Sequence, residues 1–340
     1  MIMKEIGKEI QIIWVEVGRK LPRYARKNIT LTSKLHPNLK QTLFAESSLN
    51  LVNLNSINVN QIPQSDLTKK FTTTQKNWKF KQLYFWQGTT ARFFHLYDLM
   101  SALNLENIVH LETDCVLLEP KALDSIIRTS NINLAYPLQA NNIGCASIFY
   151  VRNSEALKNF LEFILDNWDN PDMDDMTLLG KYSEKEEVLV LPTHLDGDRD
   201  TPRYLFDAQS IGKFFIGTDA RNCRLPLARR GINDNRDGSV TRDLLRPDLT
   251  WGISGNWHKI NLKVTGSGLD SQIANLHIHS KFISQFVIVM TLFLKFCFKK
   301  KRNWLWKLGC FDISVFVERL LSLLARRVFR MKNHKEMNLR

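Results

Sequence analysis

Glu112 and Asp114 sit two residues apart in the stretch NIVHLETDCVLLEP, Asn107 to Pro120, directly after an apolar run. In a strand, residues two apart point to the same side, so both carboxylates reach one point in space. Two carboxylates aimed at one point repel each other unless a cation or a sugar hydroxyl lies between them. A divalent metal ion is the simplest resolution. The segment ANLHIHSK near the other end of the body places His277 and His279 two apart in the same way. An acid-x-acid triplet alone also occurs in solvated turns, so its context has to carry the reading. Here the triplet follows an apolar strand, and a long helix bearing Arg92 precedes that strand.

The elements that must position these residues alternate between strand and helix in the first half of the chain. IQIIWVEVG, Ile10 to Gly18, is short, β-branched and ends in glycine, as a first buried strand of an α/β domain does. A helix is expected from near Pro22 to before Pro37, and Asn-rich irregular chain from Leu51 to Pro63. In TTARFFHLYDLMSAL, Phe93, Leu96, Leu99, Met100 and Leu103 share one helix face, with Thr89 or Thr90 as cap. The strand Ile108 to Leu111 follows, then a helix over Ala122 to Arg128, two short strands around an Asn-Asn-x-Gly turn, and an amphipathic helix from Glu155 to Trp168. Glu184 to Arg246, rich in Gly, Asp, Arg and Pro, reads as loops around a helix at Asp207 to Phe215. Ile273 to Ile283 reads as a last strand. The pattern favours a three-layer α/β/α domain with long functional loops, whose ligands bind at the carboxyl ends of the strands.

With these residues in place, the chain resembles the metal-dependent, nucleotide-sugar glycosyltransferases of GT-A fold, of the bacterial polysaccharide or capsule type. The resemblance rests on ETD at 112 to 114 closing a strand, ARFF at 91 to 94 on the preceding helix, and NLHIHSK at 275 to 281. It extends to WVEVGRKLP as the nucleotide-binding first strand, NNIGCASIFY as the acceptor-side strand and DDMTLL as the acidic start of a later helix. It covers about residues 10 to 281, with glutamate in place of the usual first aspartate.

The resemblance implies a GT-A-like, Rossmann-like domain over 1–281, its 10–120 half binding the nucleotide sugar and its 121–281 half the acceptor. It implies Mn²⁺ or Mg²⁺ as cofactor, held directly by Asp114 and by His279 or His277, with His279 preferred for its nearness to Lys281. Glu112 would bind ribose hydroxyls, or the metal through water. Trp14, Arg92 and Lys281 would serve the nucleotide and diphosphate. Asp174 and Asp175 are candidates for acceptor binding or a general base, against plain helix capping. Asn142 and Asp207 are placed on the acceptor side, with Asp207 equally readable as a helix cap. The activity implied is transfer of a hexose-type sugar from a nucleotide-diphosphate donor to a glycan or lipid-linked acceptor. The rivals are a sugar nucleotidyltransferase, and a degenerate or non-enzymatic membrane-surface protein.

Composition bounds the rest. The 340 residues carry a net charge of +13, with 44% hydrophobic and 24% charged residues, an ordinary globular balance. From Lys281 to Arg340 there are fourteen Lys/Arg against three acids, +11, which leaves +2 for residues 1–280. A near-neutral body with a basic tail argues against a nucleic-acid partner for the body and sends the tail to an anionic surface. FISQFVIVMTLFLKFCF, KKKRNWLWK and ISVFVERLLSLLARRVF read as amphipathic helices of a C-terminal extension, 282–340, lying on an anionic membrane. Five scattered cysteines without a C-x-x-C pair fit reduced thiols, and the N-terminus shows no signal-peptide pattern. The expected location is cytoplasmic, peripheral at the inner membrane surface.

Overall fold

Strand β1 (Gln11–Glu16) is buried along its whole length, and its alternating side chains divide between two cores. Ile12 and Trp14 enter one core and Ile13 and Val15 the other, which is how a strand covered on both faces must behave. The computed structural model describes residues 10–18, 20–75, 83–127, 132–140, 142–168, 174–185, 187–193, 202–209, 211–212, 250–256, 259–266 and 269–278. His279, Lys281 and the whole of 282–340 lie outside the described residues.

After β1 come α1 (Arg23–Leu35), β2 (Lys40–Ala45), β3 (Leu54–Asn58), α2 (Asp66–Gln75), α3 (Leu83–Leu103), β4 (Ile108–Leu111) and β5 (Cys115–Leu117). Then follow α4 (Lys121–Ile127), β6 (Leu134–Ala140), β7 (Ile143–Gly144), β8 (Ile148–Val151), α5 (Ser154–Asn167), α6 (Asp175–Tyr182), β9 (Val188–Leu191) and β10 (Tyr204–Leu205). The last described strands are β11 (Thr250–Asn256), β12 (Lys259–Gly266), β13 (Leu269–Ile273) and β14 (Asn275–His277).

The main sheet has eight strands, ordered β3-β2-β1-β4-β8-β6-β7, with β9 also paired to β6. β3, β2, β1 and β4 are mutually parallel, whereas β8 runs antiparallel to β4. The boundary at residue 120 therefore falls within one shared sheet. One core joins α1 and α4 to one face, through Ala25, Ile29, Leu123 and Ile126. The other joins α2, α3, α5 and α6 to the opposite face. There Phe160 meets Tyr182 at 4.9 Å and Phe93 at 5.5 Å between ring centroids, and Phe71 stacks on Phe94 at 4.2 Å. This is the expected three-layer α/β/α arrangement.

Several expectations need correction. α3 begins at Leu83, so Thr89 and Thr90 lie inside it and do not cap it. Leu51 to Pro63 is not all irregular: β3 pairs parallel with β2, because Leu54 gains a buried place beside Gln41 at the sheet edge. A second sheet, ordered β10-β13-β12-β11, fills part of the stretch read as loops and runs past it. The proposed last strand is in fact two, β13 and β14, and β14 leaves that sheet to pair antiparallel with β5, setting His277 opposite Cys115. Of the helix expected at Asp207 to Phe215, residues 207–209 are described and are not helical, while Ile211 and Gly212 are helical. Among the described residues no helix is long and apolar enough to cross a membrane.

Candidate functional site

The site lies where β4 stops. β4 ends at Leu111, and Glu112, Thr113 and Asp114 form a turn into β5, not a continuation of the strand. Backbone bonds hold that turn. Glu112 N–H donates to Ser147 O at 3.2 Å and Cys115 N–H to Glu112 O at 2.8 Å. The Ile278 N–H donates to Asp114 O at 2.7 Å, and the Asn28 amide to Thr113 O at 3.2 Å. Thr113 Oγ1 donates to Glu16 Oε2 at 3.1 Å, tying the turn to the end of β1. A turn fixed at this many points sends both acid side chains toward β14.

β14 brings His277 to meet them. Its Nε2 lies 2.9 Å from Glu112 Oε2 and 3.5 Å from Asp114 Oδ1. Its Nδ1 lies 2.5 Å from the carbonyl oxygen of Ala208. A carbonyl only accepts, so Nδ1 carries a hydrogen, and Nε2 is left to face the two carboxylates. A bare nitrogen lone pair against two carboxylates is untenable, so that gap holds either a proton or a metal ion. Burial works to lower the His277 pKa, but Cys145, Glu112 and Asp114 outweigh it and hold the imidazole well above its ordinary value.

On the other side of Glu112 stands Arg92 of α3. Its Nη1 meets Glu112 Oε1 at 2.5 Å and its Nη2 meets Asp175 Oδ2 at 3.0 Å, while its guanidinium lies 5.0 Å from the centre of the Phe93 ring. Burial raises the pKa of Glu112, yet Arg92 and His277 overcome it and hold that carboxyl well below the usual range. Asp175 goes the other way: burial, aided by Glu112 and Asp174 against Arg92, pushes it up to about 6. Two polar atoms here are buried and lack a hydrogen-bond partner, Arg92 Nε and Asp175 Oδ1. Buried groups of this kind are rare and call for a ligand or an ordered water. Deeper, His110 precedes Glu112 by two residues, and burial followed by Arg92 lowers it to about 3.

Asp207 holds the strand that bears His277. Its Oδ2 accepts from the backbone N–H groups of His277 at 2.8 Å and Gly212 at 2.7 Å, and its Oδ1 from Ile211 N–H at 2.9 Å. Asn275 clasps the same residue, donating from Nδ2 to Asp207 O at 3.1 Å and accepting Asp207 N–H at Oδ1 at 3.0 Å. Burial raises the Asp207 carboxyl to about 6 against these bonds.

The sequence-derived candidates thus separate. Glu112 and Asp114 meet at His277, and Arg92 links Glu112 to Asp175. Asp174 is the N-cap of α6, accepting Thr177 N–H at 2.8 Å, which is the capping role weighed against catalysis. Asp207, read as an acceptor-side residue, is 1% exposed with both oxygens bonded to backbone, so it shapes the His277 strand and offers no face to an acceptor. Trp14, read as nucleotide-binding, is 0% exposed within the core, because its place on a strand covered on both faces points it inward. Asn142 is exposed in the turn between β6 and β7, with a φ of 60°. Sequence reading missed Cys145, whose Sγ donates to Ala208 O at 2.8 Å and lies 3.6 Å from His277 Nδ1. The signal available was its place in NNIGCASIFY, already assigned to this side.

No family model matches the chain and no curated protein matches it. Several solved glycosyltransferase structures show a distant likeness to the chain. The galactosyltransferase LgtC, in complex with donor and acceptor sugar analogs, is 13% identical at a TM-score of 0.40, covering 58% of this chain and 76% of that one. An active-site mutant of LgtC is 11% identical at 0.42, covering 84% and 95%. Mouse xyloside xylosyltransferase 1, in its apo form, is 10% identical at 0.36, covering 58% and 88%. At such distances the function of this chain has to be read from its own side chains.

Proposed function

We propose that the chain is a metal-dependent glycosyltransferase that moves a sugar from a nucleotide-diphosphate donor to a glycan or lipid-linked acceptor. The observation that carries this is the His277 Nε2 held between Glu112 and Asp114, 2.9 and 3.5 Å away, beyond the carboxyl end of a parallel strand. That donor set of two carboxylates and one imidazole fits a divalent ion such as Mn²⁺ or Mg²⁺. Asp114, His277 and Glu112 would hold it. When bound, the ion would neutralise the charge that develops on a departing diphosphate.

The chain's own groups supply the remainder. Arg92 holds Glu112 ionised and turned toward His277, and Ala208 keeps the imidazole in the tautomer that presents Nε2. Arg92 Nε and Asp175 Oδ1, buried without partners, suit a donor and an acceptor for the hydroxyls of the transferred sugar. Hydroxyls supply both roles and satisfy both atoms. On this reading Asp175 orients the donor sugar. Residues 282–340, through their basic and apolar side chains, would hold the body at an anionic membrane that carries the acceptor.

The test is thermal unfolding of the full chain with nucleoside diphosphates and their sugar conjugates, each with and without Mn²⁺. A metal-dependent rise in midpoint with one nucleotide is expected, and Asp114→Ala should remove that rise. The substitution leaves the fold in place, because the bond from Ile278 N–H uses the Asp114 backbone carbonyl. Wild-type protein that is folded and unmoved by every nucleotide would refute the donor site. Metal-dependent binding that Asp114→Ala leaves unchanged would refute its location.

A further inference from the structure

A cavity of about 400 Å³ lies between α4, the end of β9 and β10. That volume is at the low end of the range that encloses a small organic ligand. The sheet register fixes its place relative to the acids. Val109 pairs with Tyr150, Tyr150 with Ala135 and Ala135 with Leu189, so these four residues form one row across β4, β8, β6 and β9. Two antiparallel pairings and one parallel pairing make β9 parallel to β4. Leu191 is therefore level with Leu111, and the cavity that Leu191 and Pro192 line stands at the same carboxyl edge as Glu112 and Asp114. Three strand spacings of about 4.8 Å put roughly 14 Å between them. The segment Tyr204 to Ala208 joins the two places: Tyr204 and Phe206 line the cavity, while the Asp207 carboxylate and the Ala208 carbonyl hold His277.

The walls are apolar, formed by Ile126, Leu189, Leu191, Pro192, Pro202 and Phe206, with Leu189, Pro192 and Pro202 only part-buried. Lys121 and Arg203 stand at the surface among them, and the Arg203 guanidinium lies 5.3 Å from the centre of the Tyr204 ring. Among the described residues neither cation is paired with a carboxylate. Asp124, one turn along α4 from Lys121, is the one acid in the lining, so two cations face one anion. A bare sugar presents hydroxyls to walls that offer few partners. A phosphate on a hydrocarbon chain gives the cations and the apolar walls each their match. We propose that this cavity receives the phosphate end of a lipid-linked acceptor, with the phosphate at Lys121 and Arg203 and the first hydrocarbon units on the apolar walls. This rests on the glycosyltransferase reading above and narrows its acceptor to the lipid-linked class. The separation from the acids leaves room for a short saccharide, so the acceptor hydroxyl belongs to a glycan already begun on its lipid.

The experiment is calorimetric titration of the full chain with farnesyl phosphate below its micelle concentration, without metal, beside farnesol and inorganic phosphate. Farnesyl phosphate should bind, and each of the other two should bind far more weakly, because each offers half of the match. Asp114→Ala should leave this binding unchanged. Replacing both cations, Lys121→Ala with Arg203→Ala, should weaken it by roughly 10–100-fold, and both side chains are exposed, so the fold is kept. No binding to folded wild type overturns the proposal. So does binding that the double variant leaves unchanged, which would put the ligand elsewhere on the chain, or binding that Asp114→Ala removes, which would put it at the acids. Farnesol or inorganic phosphate binding as tightly as farnesyl phosphate overturns it too. A chain that binds farnesyl phosphate through these cations but no nucleotide keeps the lipid site and loses the transferase reading.

Discussion

Asp175 is a buried carboxyl whose charge opposes the folded state, and Asp175→Asn measures by how much. It is 3% exposed, it pairs with Arg92 at 3.0 Å, and Glu112 and Asp174 stand near it with the same sign. Its folded pKa of about 6 exceeds the ordinary 3.8. The folded state therefore binds the proton more tightly than the unfolded state between those values. The stabilisation from the protonated group is complete below about pH 4 and is lost as pH rises through about 6. A difference of about two units at 1.36 kcal/mol each gives roughly 3 kcal/mol. Asparagine removes the ionisation and keeps the shape, while Arg92 keeps Glu112 as its partner. The assay is urea unfolding of wild type and Asp175→Asn from pH 4 to pH 7.5. The two proteins should be nearly equal in stability at pH 4, and the variant should lead by up to about 3 kcal/mol at pH 7. Donor-sugar binding should fall in the same variant, because the acceptor oxygen Oδ1 is the atom the substitution disturbs. A variant less stable than wild type at pH 7 would refute this reasoning, since the ion pair with Arg92 would then outweigh burial.

Two further substitutions probe the frame of the site. Arg92→Lys keeps the charge, but a single ammonium does not span Glu112 and Asp175 as the planar fork does; a loss of about 2 kcal/mol in urea unfolding and weaker donor binding are expected, and unchanged binding would remove Arg92 from the site. Gly180→Ala would set a Cβ 1.9 Å from the backbone oxygen of Asn142, a contact that moves α6 away from β7. That displacement should cost about 3 kcal/mol and release Asp175, at the start of the same helix, from Arg92; calorimetry with a wild-type midpoint would refute it.

Much of this molecule is legible in its sequence because the signals are local. The apolar run of β1, the helix carrying Arg92 and the run into Glu112 each depend on periodicity over a few residues, and each is present in the structure, although the helix starts earlier than expected, at Leu83. Asp174 and Asn153 are N-caps because a short polar side chain before a helix meets backbone N–H groups within its own turn. β11 and β12 were hidden because strands in a sheet of distant partners depend more on pairing than on composition.

The site itself was half legible. An acid pair after an apolar strand and a histidine in a late segment are visible in the linear chain, and so is the positive charge of Arg92. What the chain order conceals is which of them share space. Asp175 lies 83 residues from Arg92 and Cys145 lies 132 from His277; packing of α3 on α6 brings the first pair together, and shared contact with the Ala208 carbonyl the second. Surroundings then divide the carboxyls: charges on Arg92 and His277 hold Glu112 ionised, whereas burial pushes Asp175 and Asp207 toward neutrality. Sequence determines which groups can ionise or ligate, because that is covalent chemistry. Tertiary structure decides which of them do, because desolvation and the nearest charge are set by neighbours that the chain brings from far away.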